Sequence, residues 1–235
     1  MDPSIVPFVV MVAVVMFGAV ASIVWQQKRT KAAQAWAASV GWQFLGTDPS
    51  LANRWQGTPF RIGHARRVSM LMVGRFSGRP AMSFQYTYNT GSGKNETTHT
   101  YHVISVALPA YLPYLQLTPE GLGDRIAKTL GGQDLQFESE DFNKAWRVQA
   151  GQVKFAHDVL HPRLMERLLR PDARTNVRIE GTDILCWSPG ASKLEVIGPR
   201  LQVLTAVVDA VPRYVWLDHG FDPGYGPSAT GFRPA

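Results

Sequence analysis

Met82-Ser83-Phe84-Gln85-Tyr86-Thr87-Tyr88 alternates large apolar or aromatic side chains with small polar ones. A period of two is the pattern of a half-buried strand. After Gly91-Ser92-Gly93-Lys94-Asn95 the alternation resumes over Thr97–Ala107, with Thr97, His99, Tyr101, Val103 and Ser105 on one face. Two such runs joined by a Gly-rich loop predict an antiparallel hairpin. Upstream, Trp42-Gln43-Phe44, Phe60–Ile62 and Val68–Val73 read as further short strands, which makes 42–108 a meander of antiparallel strands. The polar stretch between them, Thr47–Trp55, suits a helical turn capped by Thr47 or Asp48.

Downstream the signals change. Pro109, Pro113 and Pro119 predict an extended crossing segment, since the residue before a proline avoids the helical region. Glu120–Leu130 reads as a helix stopped by Gly131-Gly132, and Asp134–Phe137 as a strand. Ser139 caps a short helix with Glu140 and Asp141 at its positive end, and Phe142 and Trp146 as apolar anchors. Lys154–Leu160 and Pro162–Leu169 are helical, separated at His161. Val177–Ile179 and Ile184–Trp187 predict a second hairpin. Leu201, Leu204, Val208 and Val211 share the apolar face of a last helix that begins at Gly198-Pro199. The fold class expected is therefore α+β, an antiparallel sheet with several packed helices.

Ahead of the sheet, Ile5–Trp25 is a run of 21 residues without a charged side chain. At 1.5 Å per residue it matches the hydrocarbon thickness of a bilayer. Ala19-Val20-Ala21 resembles a signal-peptide cleavage site, but no Lys or Arg precedes the run and the apolar stretch continues beyond the cut. The run reads as an uncleaved transmembrane helix, with Lys28, Arg29 and Lys31 behind it setting the orientation by the positive-inside rule. The organisation expected is an anchor over 1–27, a helical stalk over 28–41 closed by Gly41, and a cytoplasmic α+β domain over 42–218. A Gly/Pro-rich disordered tail follows over 219–235. The location is the plasma membrane, single-pass. Trp42-Gln43-Phe44 with its turn and Trp55 is echoed by Leu135-Gln136-Phe137 with its turn and Trp146. The echo divides the domain into halves, 42–132 and 133–218, and reads either as duplication of a strand–helix unit or as coincidence between two amphipathic turns.

The 235 residues carry a net charge of +6 and one cysteine, which excludes an internal disulfide and a multi-cysteine metal site. Cys186, between Leu185 and Trp187, reads as buried and inert. Gly91-Ser92-Gly93-Lys94 is not a phosphate loop, because Asn95 stands where Ser or Thr is needed. Basic charge is concentrated: Arg54, Arg61, Arg66, Arg67, Arg75, Arg79 and Lys94 lie between Asp48 and Glu96 with no acidic residue among them. Arg66, Arg67, Arg75 and Arg79 are the candidate contacts to anionic lipid, on a loop rim rather than one flat face. The alternative is an edge of the sheet protected by arginines. No nucleic-acid motif accompanies this charge.

His157-Asp158-Val159-Leu160-His161 is the sharpest chemical pattern. Histidines four apart on a helix can grip zinc, with Glu166 or His219 as third ligand and Asp158 where metalloproteases place Glu. Pro162 pulls His161 out of the helix and spoils that geometry.

Asp48-Pro49-Ser50-Leu51-Ala52, Phe137–Asn143, Phe155–Pro162 and Val211-Pro212 with Trp216, taken with the N-terminal anchor, resemble a family of actinobacterial single-pass membrane proteins of unknown function. The resemblance implies location and architecture and carries no catalytic residue. The first functional reading is a membrane-tethered, non-enzymatic interaction domain without a cofactor. Its expected partners are the bilayer, through residues 5–25, and an anionic lipid or a protein. The alternative is a membrane-anchored metal-dependent hydrolase using His157, Asp158 and His161.

Overall fold

The structure, a computed structural model, describes residues 5–121 and 133–224; for residues 5–15, 19, 133 and 134 it describes the backbone alone. The architecture is α+β, an antiparallel seven-stranded sheet with helices packed on it. Strands β1 (Gln43–Gly46), β2 (His64–Phe76), β3 (Arg79–Thr90) and β4 (Thr97–Pro119) follow one another as neighbours, and β6 (Trp146–Ala150) and β5 (Gln133–Leu135) continue the order beyond β4. The last strand, β7 (Asn176–Pro189), runs along the other side of β4.

The β3–β4 hairpin is in register from Ala81↔Val106 to Thr90↔Thr97, as the alternation predicts. Phe84, Tyr86 and Tyr88 enter one core with Val103, and the Tyr88 ring stacks on His99 and Tyr101. The opposite parity, Ser83 and Gln85, turns to the other face.

Three expectations are corrected. Residues 109–119 do not cross in isolation: they prolong β4 to 23 residues. The β4 edge that pairs with β3 up to Val106 pairs with β6 from Leu115 onward, and Pro109 and Pro113 lie in the gap between the two ladders. A proline cannot donate to a ladder, so a gap is where it fits. Val177–Ile179 and Ile184–Trp187 do not pair with each other. They are two parts of β7, both bonded to β4, and Gly181, at φ +67°, supports a bulge where the sequence suggests a turn. Phe60–Ile62 is a turn rather than a strand, and buries Phe60 beside Trp55, Tyr86 and Trp187.

The sheet separates two cores. On one face lies the 47–63 segment, with Leu51, Ala52, Trp55 and Phe60 against β2, β3 and β7. On the other lie the helices. These are the end of α1 (Ile5–Ser39), α2 (Glu140–Ala145), α3 (Val153–Val159), α4 (Pro162–Leu168), α5 (Ile197–Ala210) and α6 (Arg213–Asp218). Ser139 caps α2 by accepting from the Phe142 N–H, and Phe142 and Trp146 are buried. Trp146 also donates through Nε1 to the Leu168 carbonyl at 3.2 Å. Trp146→Ala is expected to cost about 3–5 kcal/mol, a fall of ~6–20 °C in the melting temperature of the full chain. An unchanged melt would remove Trp146 from the core.

α1 is one continuous helix of 35 residues, about 52 Å long. Its last turns do not stand clear of the sheet: Ala33 and Ala37 are fully buried against it. Gly41, at φ +72°, ends it, with Trp42 N–H donating to the Ala37 carbonyl and Gly41 N–H to that of Ala38. Trp42 then lies over Gly74, its Nε1 donating to the Arg75 carbonyl at 3.2 Å. Among the described residues no helix is long and apolar enough to cross a membrane. The side chains of residues 5–15 and 19, most of the run expected to span, lie outside the described residues. Beyond α6, Phe221 packs edge-on to Trp216 and Asp222 forms two bonds with Arg213. Residues 225–235 of the tail, and nearly all of the helix expected over Glu120–Leu130, lie outside the described residues.

Candidate functional site

The strand register decides what the arginines can do together. Arg66 and Arg67 stand at the start of β2, Arg75 and Arg79 at the β2–β3 turn. Nine residues of strand, roughly 30 Å, separate Arg66 from Arg75. The four therefore form two groups at opposite ends of the sheet, not one rim. Left-handed residues at Ala65 and Met70 (φ 51° and 54°) and shifts in the β2–β3 register interrupt the strict alternation that parity arguments assume.

The groups also differ in how their charge is spent. At the turn, Arg79 is paired with Asp209 at 2.8 Å, and Arg75 donates to the Gly78 carbonyl. At the start of β2, Arg66 donates to the Asn53 Oδ1 (3.2 Å) and the Gly63 carbonyl (2.8 Å), both uncharged oxygens, and Arg67 is exposed. The β3–β4 hairpin tip with Lys94 lies beside this end, where His64 Nε2 meets Glu96 Oε1 at 2.9 Å.

A polar group that the sequence did not signal lies where α1 meets the sheet. Arg29 donates to Gln85 Oε1 at 3.3 Å, and the Thr30 hydroxyl lies 3.9 Å from the Met70 sulfur. Gln85 Oε1 also accepts from the Ser192 N–H. Next to it, Ser83 and His102 are buried and share a 2.9 Å bond through Nε2, while His102 Nδ1 accepts from the Lys193 N–H. Ser83 and Gln85 follow the alternation of β3, but which polar strand residues would be covered depends on where α1 and the 190–193 loop dock.

His102 is enclosed enough that burial, with a smaller contribution from the Arg200 charge, depresses its pKa to about 4. Its folded pKa lies below its unfolded one near 6.5, so the stability it confers is complete above about pH 6.5 and lost as pH falls toward 4. The wild-type chain should lose about 3 kcal/mol from this group over that window. His102→Gln should flatten that part of the curve; an unchanged pH dependence would place the titration elsewhere. Burial also pushes the Cys186 thiol up to about 12, so it is no nucleophile at neutral pH.

His157 and His161 both line an open cavity of about 740 Å³ with Phe137, Leu160, Met165 and Glu166. They do not share a helix face. His157 lies in α3 with its ring 4.8 Å from that of Phe137, whereas His161 is the extended N-cap of α4, at ψ 164°. Asp158 is engaged by Lys154 at 2.6 Å. Among the described residues no three His, Cys, Asp or Glu side chains are placed to hold a metal ion. The shared helix face on which the hydrolase reading places its two histidines is therefore not formed, for the reason Pro162 gives.

The interior charges serve to attach the 47–63 segment to the sheet. Asp183 accepts from Arg54 (2.8 and 3.0 Å) and from Trp55 Nε1 (3.1 Å). Arg178, 1% exposed, donates to Gln116 Oε1, to the carbonyls of Gln56 and Thr58, and to Glu180. Its guanidinium also lies 4.7 Å from the Trp187 ring centre.

No protein-family model and no curated protein matches the chain. Among solved structures, the crystal structure of the mycobacterial trehalose monomycolate transport factor A, TtfA, is similar to it at a TM-score of 0.54 and 14% sequence identity. The match covers 77% of this chain and 93% of that one, and shows that the two share a fold.

Proposed function

We propose that the chain is a membrane-tethered, non-enzymatic interaction domain. In this reading Ile5–Trp25 spans the plasma membrane once, and the α+β domain lies on the cytoplasmic side, where it engages an anionic lipid or a membrane protein. The observation that carries it is the continuity of α1. One helix joins the apolar run to turns that are buried in the sheet. Between Met16 and Trp25 that helix exposes Met16, Phe17, Val20, Ile23, Val24 and Trp25, with Phe17 at 78% and Trp25 at 60%. Bare apolar surface of this extent is unfavourable in water at about 25 cal/mol per Å² and is matched by hydrocarbon. Lys28, Arg29 and Lys31 follow, as the cytoplasmic flank of a span does. The fold shared with a trehalose monomycolate transport factor is consistent with a membrane-associated, non-enzymatic role, and the resemblance to actinobacterial single-pass proteins agrees with the membrane location.

Carbonate extraction of membranes from cells expressing the full chain tests the anchor. The chain should remain in the pellet, and a version lacking residues 2–27 should move to the supernatant. A full chain that is washed out would overturn the reading.

A further inference from the structure

We propose that the end of the sheet formed by the start of β2 and the β3–β4 hairpin tip, carrying Arg66, Arg67 and Lys94, rests on anionic phospholipid headgroups. The opposite end, with Arg75 and Arg79, faces away from the bilayer. The inference depends on the anchor reading above and adds which surface meets the membrane.

The direction of α1 across the sheet gives the first argument. Thr30 lies against Met70, and Trp42, just past the helix end, lies against Gly74. From Thr30 to Ser39 the helix advances ~14 Å, and from Met70 to Gly74 the strand advances ~13 Å, so α1 and β2 run nearly side by side in the same direction. Moving back toward the membrane, Arg67 lies three strand residues, ~10 Å, before Met70. From Met16 to Lys28 every described side chain of α1 is exposed, so below Arg29 the helix no longer packs on the sheet and the two part. The hairpin tip extends further still, since Asn89 is paired with His64 and Gly91–Asn95 lie beyond. With Thr30 at Met70 and Trp42 at Gly74, the start of β2 and the hairpin tip form the end of the sheet that faces the bilayer.

Charge gives the second argument. Arg66 bonds only to neutral oxygens among the contacts described above, and Arg67 and Lys94 are exposed. Asp48, beside the Thr47 whose hydroxyl donates to the Val68 carbonyl, and Glu96 are acids near this end; Asp48 is engaged by Ser50, and Glu96 by His64 and Asn89. Lys28 and Lys31 on α1, on either side of Arg29 and Thr30, add exposed basic charge on the bilayer side of the domain. At the far end Arg79 is already neutralised by Asp209. Cations that have no acidic partner among the described residues, at the end of the sheet facing the bilayer, are placed where anionic lipid attracts them, and attraction fades beyond about 10 Å at 0.1 M salt.

The test places a bimane on Ser92→Cys, at the tip, or on Ser77→Cys, at the opposite turn, in the full chain. Both serines are exposed, and Cys186 is buried and stays unlabelled. In nanodiscs of phosphatidylcholine with phosphatidylglycerol and a headgroup nitroxide, Ser92→Cys should be quenched several-fold more than Ser77→Cys. Changing Arg66 and Arg67 together to Ser should reduce the difference, and pure phosphatidylcholine discs should do the same. Equal quenching at the two sites in a chain that resists carbonate overturns this inference alone. Preferential quenching at Ser92→Cys that ignores both the arginines and the lipid charge overturns the headgroup contact and leaves only rigid docking. A chain that carbonate extracts removes the anchor reading and this inference with it.

Discussion

Arg178→Ala should detach the 47–63 segment from the sheet and lower stability by about 3–5 kcal/mol, the range for removing one partner from a buried charged network. The side chain is fully enclosed, and burial works against its charge, offset in part by Tyr114 and Glu180. Without it the Gln56 and Thr58 carbonyls and Gln116 Oε1 lose a shared donor, and Phe60, Tyr114 and Trp187 lose the cation beside their rings. Thermal unfolding should show the loss, and limited proteolysis should cut first within 47–63. Arg170→Ala, at an exposed position, should stay within about 0.5 kcal/mol of wild type. A melt of Arg178→Ala equal to that control would mean that Arg178 is not what fastens the segment.

Gly74→Ala should be of similar severity for a different reason. Gly74 has no unusual backbone angle that only glycine tolerates. What forbids a side chain is Trp42: a Cβ at Gly74 would stand 2.2 Å from the indole Cδ1 and 2.3 Å from Cγ. The ring must leave, surrendering its bond to Arg75 and its edge contact with Trp36 at 5.7 Å. Displacing a buried indole costs about 2–5 kcal/mol, between overpacking and full truncation. It also loosens the hold of the sheet on the end of α1. Tryptophan emission should shift to the red. In a Trp42→Ala background the further cost of Gly74→Ala should nearly vanish, since neighbours in contact are not additive. A full additional loss there would assign the effect to the strand itself.

Both sites show where reading the sequence stops. Local signals are legible because they are satisfied locally: the β3–β4 alternation, Ser139 over Phe142, and Gly41 closing α1 each involve residues within a few positions of one another. Pro109 and Pro113 misled because a proline speaks against a central strand unless the ladder is broken there. That break depends on β6 replacing β3 beside β4, a long-range event. Glu180-Gly181-Thr182-Asp183 has the composition of a turn. It is instead a bulge on β7 whose Asp183 and Glu180 hold residues more than 120 positions earlier. The basic stretch was visible as charge, but its division into two ends was not, because the length of β2 and the bulges near Ala65 and Met70 set where each arginine lies. The break at His161 is legible for the same local reason: the residue before Pro162 is extended, so His157 and His161 do not share a helix face.

The central claim is that α1 carries this domain on the cytoplasmic face of a membrane. It is tested most directly by labelling Ser77→Cys in the full chain with a membrane-impermeant maleimide, in intact spheroplasts and in lysed membranes. The account predicts labelling only after lysis, on a chain that stays with the carbonate-washed membranes. Labelling of intact spheroplasts, or release of the chain by carbonate, would contradict it.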